Sequence, residues 1–253
     1  MSFYISLILI SIVVGALVGG VGVGGFFMPP ALMLIANVSI QQGVATSLFT
    51  FIFTGIVGTL YFHKKGSINW ALVKPVCFGA ALTGFAGAWG ASKLSTSALS
   101  IVLAVVIMIA GIYTLANGGE KAKAKAASTL AKVSKQQWIM LAAVGAATGF
   151  LSGLTGIGGS LLAVPLMVLC GFSLMSSIGA GQVLQIVGAV SGTVVNLKLG
   201  SIDLGLASFI TVFEICGVLL GAYAIHRIDI ELIRKFVGTL CLVAGCAFVI
   251  RTF

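Results

Sequence analysis

Charge is the scarcest ingredient of this chain. Only 8% of its 253 residues are Asp, Glu, Lys or Arg, where a soluble domain carries about 25%. No acidic residue precedes Glu120, and the stretches Ile5–Phe62 and Leu94–Gly119 hold no charged side chain at all. Runs of that length exclude an ordinary soluble fold. Histidine is nearly absent as well: His63 and His226 both fall at the expected ends of apolar segments. With no Walker A, G-x-S-x-G or H-E-x-x-H motif in the sequence, no nucleophile–base set can be assembled, and the chain is not expected to be an enzyme. The five cysteines (Cys77, Cys170, Cys216, Cys241 and Cys246) are odd in number and contain no C-x-x-C pair. They exclude a disulfide framework and read as small packing residues, so neither a metal site nor a cofactor is expected.

What the chain has instead is apolar surface, 59% by residue. About 20 apolar residues span a bilayer as a helix, and the spans read as 3–20, 24–37, 42–62, 70–92 and 96–117, then 137–154, 157–171, 177–197, 203–225 and 231–250. This is the pattern of an all-α polytopic membrane protein. The N-terminus lacks a basic region and a small-residue cleavage site, so the first segment is expected to be a retained helix. Trp70 and Trp138 at span starts and Trp89 near a span end suit the aromatic belts of a membrane interface. The net charge of +9 belongs to loop lysines that orient such a protein, and no nucleic-acid partner is expected. The expected location is the cytoplasmic membrane.

The sequence is also double. Gly22-Val23-Gly24-Gly25 returns as Gly156-Ile157-Gly158-Gly159, an offset of 134 residues. The same offset relates Leu32-Met33 to Leu166-Met167, Gly58-Thr59 to Gly192-Thr193 and Gly66-Ser67-Ile68 to Gly200-Ser201-Ile202. Residues 1–117 and 136–253 therefore read as two membrane repeats of about four to five transmembrane or half-membrane helices each. They are joined by a Lys- and Ala-rich basic cytoplasmic linker at 118–135. If each half crosses an odd number of times, eleven basic residues fall on one side and three on the other; with four crossings the split is ten to four. The positive-inside rule favours the odd count, hence inverted-topology repeats with both termini outward.

Gly20-Val21-Gly22-Val23-Gly24-Gly25 formally matches a dinucleotide fingerprint, but that motif needs a preceding strand and an acid about 20 residues on, and neither exists here. In a membrane helix the glycines have another use. They let the backbone break, and a break exposes amides at the start of the next helix, where an anion is favoured. A glycine break repeated in both halves points to a transporter's binding site. The candidate substrate-binding residues are Gly22, Gly24, Gly25, Gly156, Gly158 and Gly159, with close helix packing the alternative use of such glycines. Thr46 and Ser47, and Gln182 and Gln185 one helical turn apart, supply neutral donors. Back-bonding of the hydroxyls and helix–helix bonding of the amides compete with that role. Glu214 is the lone acid deep in a span and is the candidate coupling residue for a proton or cation, unless it makes a structural hydrogen bond.

These residues carry a resemblance. Gly22-Val23-Gly24-Gly25 followed by Pro29-Pro30, Ala45-Thr46-Ser47, Gly66-Ser67-Ile68-Asn69-Trp70 and Gly156-Ile157-Gly158-Gly159 with Val164-Pro165 resemble the sulfite exporter TauE/SafE family, also called the toluene-sulfonate uptake permease family. The resemblance covers nearly the whole chain. It implies a secondary transporter of sulfite, sulfonates or related anions, with alternating access as one repeat moves against the other. The Thr-Ser role carries over to Thr46 and Ser47 only, because the second copy reads Gly179-Ala180-Gly181-Gln182. An anion channel or a structural membrane subunit is the alternative. The expected partners are the lipid bilayer and a small anionic substrate, and a homo-oligomer is compatible with this composition.

Overall fold

The computed structural model describes residues 2–22, 24–95, 134–156, 158–170, 172–198 and 202–225, with scattered positions between 98 and 116 and between 227 and 246. The expected linker, apart from its last residues, and much of the 96–117 and 231–250 spans lie outside the described residues.

The described residues form α1 (Ser2–Val21), a 3-10 turn (Gly25–Phe27), α2 (Met28–Ile35), α3 (Ile40–Lys64) and α4 (Trp70–Lys93). They continue with α5 (Lys135–Thr155), α6 (Ser160–Leu169), α7 (Leu174–Lys198) and α8 (Leu204–Ile225). No strand occurs among them. Six helices, all but α2 and α6, are long and apolar enough to cross a membrane, and the protein is a multi-pass membrane protein. At about 1.5 Å per residue, the 8 residues of α2 and the 10 of α6 reach only about half of a bilayer's ~30 Å hydrocarbon core. The two short apolar segments of the sequence are thus half-length elements. Trp70, Trp89 and Trp138 are all exposed, as residues of an interfacial belt must be.

The duplication recurs in the helix boundaries. α3 and α7 begin and end at positions 134 apart, as the limits Ile40–Lys64 and Leu174–Lys198 show. Their start signals are duplicated too. The Ser39 hydroxyl accepts the Gln42 amide at 3.2 Å, and the Ser173 hydroxyl accepts the Ser176 amide at 3.3 Å. One helix later, Asn69 Oδ1 accepts the Ala71 amide at 3.0 Å, and Asp203 Oδ1 the Leu206 amide at 2.9 Å. Each cap satisfies an amide that a helix start would otherwise leave unpaired.

The two copies are interlocked. α1 packs along α8 and α4 along α5, so each tight pair takes one helix from each copy. Glycine makes these contacts close: a Cβ at Gly15 would run into the Glu214 carbonyl, and one at Gly149 would sit 2.5 Å from the Ala80 Cα. Gly15–Glu214 and Gly149–Ala80 are the same contact with the copies exchanged. Within both pairs the register rises together (Gly217 on Ile12 and Gly221 on Ala16; Gly145 on Val76 and Gly153 on Gly84), so the paired helices run parallel. α3 and α7, counterparts of one another, cross at the centre. There Gly192 packs on Leu48, Gly58 on Gln182 and Gly55 on Ile186. That register falls as the other rises, so these two counterpart helices run antiparallel.

Candidate functional site

Both expected breaks are present. Gly22 and Gly156 end α1 and α5 in the left-handed region, at φ 72° and 69°, where an L side chain is strained by about 1–2 kcal/mol. Beyond them the copies part. Gly158 is again left-handed at φ 76° and α6 starts two residues later. In the first copy Gly24 has φ −156°, and a 3-10 turn intervenes before α2, which then carries Pro29 and Pro30 in its first turn.

The breaks converge around Ser160. A Cβ at Gly22 would lie 3.5 Å from the Ser160 Cβ, and one at Gly158 would lie 3.5 Å from Cγ of Gln185. The Ser160 hydroxyl donates to Gln185 Oε1 at 3.4 Å. Gln185 Nε2 in turn donates to the Thr54 hydroxyl at 3.0 Å and to the Phe51 carbonyl at 3.4 Å. Phe51 and Gln185 are counterparts, 134 positions apart. A contact between a residue and its own copy lies where the two copies meet, so Gln185 marks the centre of the internal symmetry. Gln182 Nε2 donates to the Val18 carbonyl at 2.8 Å, which also receives the Gly22 amide at 3.0 Å. Its Oε1 is buried without a partner. Gln182 is fully buried and Gln185 is 1% exposed.

Not every candidate joins this cluster. Gly24 packs on Leu17 and Val14, Gly156 on Val44, and Gly159 on Leu184, and Gly25 opens the buried 3-10 turn. The Ser47 hydroxyl donates to the Gly43 carbonyl at 2.7 Å, so its proton is committed to its own helix. Thr46 Oγ1 is buried and unpartnered. Thr46, Thr50 and Thr54 recur every four residues and so share a face of α3. Thr54 meets Gln185. Thr50 lies beside the carboxyl of Glu214, yet its hydroxyl donates to the Ser47 carbonyl at 3.0 Å. Glu214 is fully buried, and neither of its carboxyl oxygens has a hydrogen-bond partner.

A small, mostly apolar cleft, whose lining includes Leu151 and Leu162, adjoins the second break. α5 contributes Thr148, Ser152 and Thr155 to it, and the opposite wall comes from Gly158, Gly159 and Leu161. It offers about 180 Å³ counting its open side but encloses only about 10 Å³, room for one water. The three hydroxyl residues, and Ser160, were not among the residues expected from sequence. Comparing the copies position by position would have found them: 134 residues earlier stand Val14, Val18 and Val21, with Phe26 in place of Ser160. Among the described residues no group of His, Cys, Asp and Glu could hold a metal ion.

Residues 7–248 match the family model described as sulfite exporter TauE/SafE. The chain is 28% identical over 221 residues to the probable membrane transporter protein YdhB of Bacillus subtilis, covering 85% of this chain and 88% of that one. It is 26% identical over 252 residues to the probable membrane transporter protein YjnA of the same organism, covering 95% and 98%. With the probable membrane transporter protein MJ0441 of Methanocaldococcus jannaschii the identity is 24% over 264 residues, covering 96% and 95%. No solved structure matches the chain.

Proposed function

Because the chain belongs to the sulfite exporter TauE/SafE family of membrane transporters, we propose that it is a secondary transporter of sulfite, sulfonates or related small anions in the cytoplasmic membrane. The observation that carries this reading is the convergence of the two glycine breaks on Ser160, Gln182 and Gln185, at the centre of the internal symmetry. Gln182 Nε2 keeps one hydrogen beyond its bond to the Val18 carbonyl, and with the helix starts it offers donors without a fixed positive charge, so an anion binds and still leaves. Binding near the meeting point of two repeats is the arrangement of many secondary transporters.

The antiparallel register of α3 and α7 supports inverted repeats, since counterpart helices then enter the membrane from opposite sides. Labelling single cysteines at positions 64 and 198 should find them on opposite faces, and the same face for both would break that topology. The interlocked pairs α1–α8 and α4–α5 refine the motion. The repeats themselves cannot slide as bodies without separating backbones in direct contact, so the moving units are cross-repeat pairs turning about the α3–α7 crossing. Coupling runs through the α3 face on which Thr54 meets Gln185 and Thr50 lies beside Glu214. A buried carboxyl that exchanges a proton or holds a cation there senses the site one turn away.

Purified protein in proteoliposomes should take up sulfite or methanesulfonate saturably and show counterflow when preloaded with the same anion. Flux that rises linearly without counterflow would identify a channel. No flux with any anion would leave a structural subunit.

A further inference from the structure

We propose that Glu214 and Thr50 form a proton switch: Glu214 carries the coupling ion as a proton rather than binding a metal cation, and Thr50 positions the carboxyl by turning its hydroxyl toward it when the proton leaves. The inference rests on the transport reading and deepens it, by naming the coupling ion and a second residue that handles it.

Glu214 is fully buried, and neither carboxyl oxygen has a hydrogen-bond partner. Thr46, Ser152 and Gln182 each bury one unpartnered oxygen, but Glu214 buries two and is the only one of the four that ionises. The helices packed against α8 are α1 and α3. On α1, Gly15 lies against Glu214, and the one titratable side chain is Tyr4, about 16 Å away along the helix. On α3, Tyr61, His63 and Lys64 lie about 16 Å or more beyond Thr50. On α8 itself, Cys216 is exposed and Tyr223 is more than two turns on. Among the described residues, then, no cation and no second acid faces the carboxyl. An ionised carboxylate enclosed in this way has nothing to compensate it, so the arrangement suits the protonated acid. A metal cation asks for a shell of several oxygens. The polar side chain beside the carboxyl is Thr50, and one hydroxyl does not complete such a shell.

Thr50 is fully buried, and its hydroxyl donates to the Ser47 carbonyl at 3.0 Å. A hydroxyl has one hydrogen and two lone pairs. With the hydrogen committed to Ser47, Thr50 is able only to accept from the carboxyl, which again fits the protonated form. When the carboxyl O–H bond breaks, its proton passes to water on the face then open. Rotation of the Thr50 hydroxyl then exchanges the Ser47 carbonyl for a carboxylate oxygen, and a charged acceptor makes the stronger bond. The same residue leads to the anion site. Its carbonyl accepts the Thr54 hydroxyl at 3.4 Å, and that hydroxyl accepts Gln185 Nε2 at 3.0 Å. The first copy has no such device. The counterparts of Glu214 and Thr50 are Ala80 and Leu184, both fully buried in one apolar cluster. The molecule therefore holds one switch and couples one proton per cycle.

Infrared titration of the purified full-length protein reads the switch without any substrate. The difference between wild type and Glu214→Gln should contain a carboxyl C=O band that disappears as pH rises. Thr50→Val keeps the shape and removes the hydroxyl, so the carboxylate loses its donor and the acid holds its proton more tightly. The midpoint should move to the alkaline side by about one pH unit or more, a tenfold change in proton affinity, and Thr50→Ser should restore it. Thr50→Ala serves if the valine variant does not fold. In proteoliposomes an imposed pH gradient should accelerate methanesulfonate uptake, and a sodium or potassium gradient at equal pH should not. A midpoint unchanged without the hydroxyl would remove Thr50 from the switch. Acceleration by the sodium or potassium gradient would overturn the proton. The absence of any titrating band lost in Glu214→Gln would overturn the switch while leaving anion transport standing. No methanesulfonate uptake under any gradient would remove the coupling role along with the transport reading, whatever the titration shows.

Discussion

The two glycine breaks start from the same backbone turn and differ in almost everything that follows it. Each ends its helix on a left-handed glycine, Gly22 or Gly156. The first copy carries Val14, Val18, Val21, Phe26, Leu48 and Phe51; at the same positions the second carries Thr148, Ser152, Thr155, Ser160, Gln182 and Gln185. The acid is unequal too, with Glu214 in the second copy where the first has Ala80. Duplication fixed where the chain bends, and divergence decided which bend carries donors. To the polar centre the first copy supplies the Val18 and Phe51 carbonyls and the Thr54 hydroxyl, while the second supplies Ser160 and the two glutamines.

The comparison breaks most visibly at its shared element. Alanine at either glycine would be strained by the left-handed conformation, but at Gly156 it would also overlap the Val44 backbone at 2.9 Å, whereas at Gly22 it would meet only side chains, Val164 at 3.3 Å and Ser160 at 3.5 Å. Gly156→Ala should therefore destabilise by about 2–5 kcal/mol, and Gly22→Ala by about 1–2 kcal/mol. Thermal unfolding in detergent measures both; equal losses would show that the two bends are held alike. Next in size is Gln182→Leu, which makes the second copy match Leu48 of the first. Leu48 already packs against Gly192 as Gln182 packs against Gly58, so leucine has a precedent for its fit, and the melting temperature should move little. Anion uptake should fall about tenfold through the lost amide, and full uptake would remove Gln182 from the site.

Glu214→Gln removes the titratable proton at the position where the first copy has alanine. Counterflow should persist, and stimulation of net uptake by an imposed ion gradient should vanish; a retained gradient response would place coupling elsewhere. The smallest effect belongs to Ser47→Ala. Its hydroxyl is bonded within α3, so uptake should stay within about twofold, with a stability change of at most about 1 kcal/mol. Any larger loss of uptake would show that the hydroxyl turns toward substrate during transport.

Much of the architecture was legible in the sequence because its signals are local or periodic. Constant offset predicted two copies, and Ile40–Lys64 and Leu174–Lys198 reproduce it to the residue. Gln182 and Gln185 stood out because amides are costly in an apolar span, and the structure brings both to the centre. Ser152 did not stand out. A serine in a membrane helix ordinarily bonds to its own backbone, as Ser47 and Ser191 do, and only three-dimensional structure shows that Ser152 does not. Helix pairing was equally hidden. A stripe such as Gly15 and Gly19 announces close packing, but nothing local says that the partner is α8 rather than a neighbour in the same copy.

That pairing bears on how the protein is made. α1 precedes the other described helices in the chain, and the partner for its glycine face is α8, which is translated only after the whole first copy and most of the second. Until then its small-residue stripe has only lipid or neighbouring helices against it. Contacts between segments far apart in sequence are slow to form. Assembly of this molecule is therefore decided late, and a chain cut short before α8 leaves α1 without its mate.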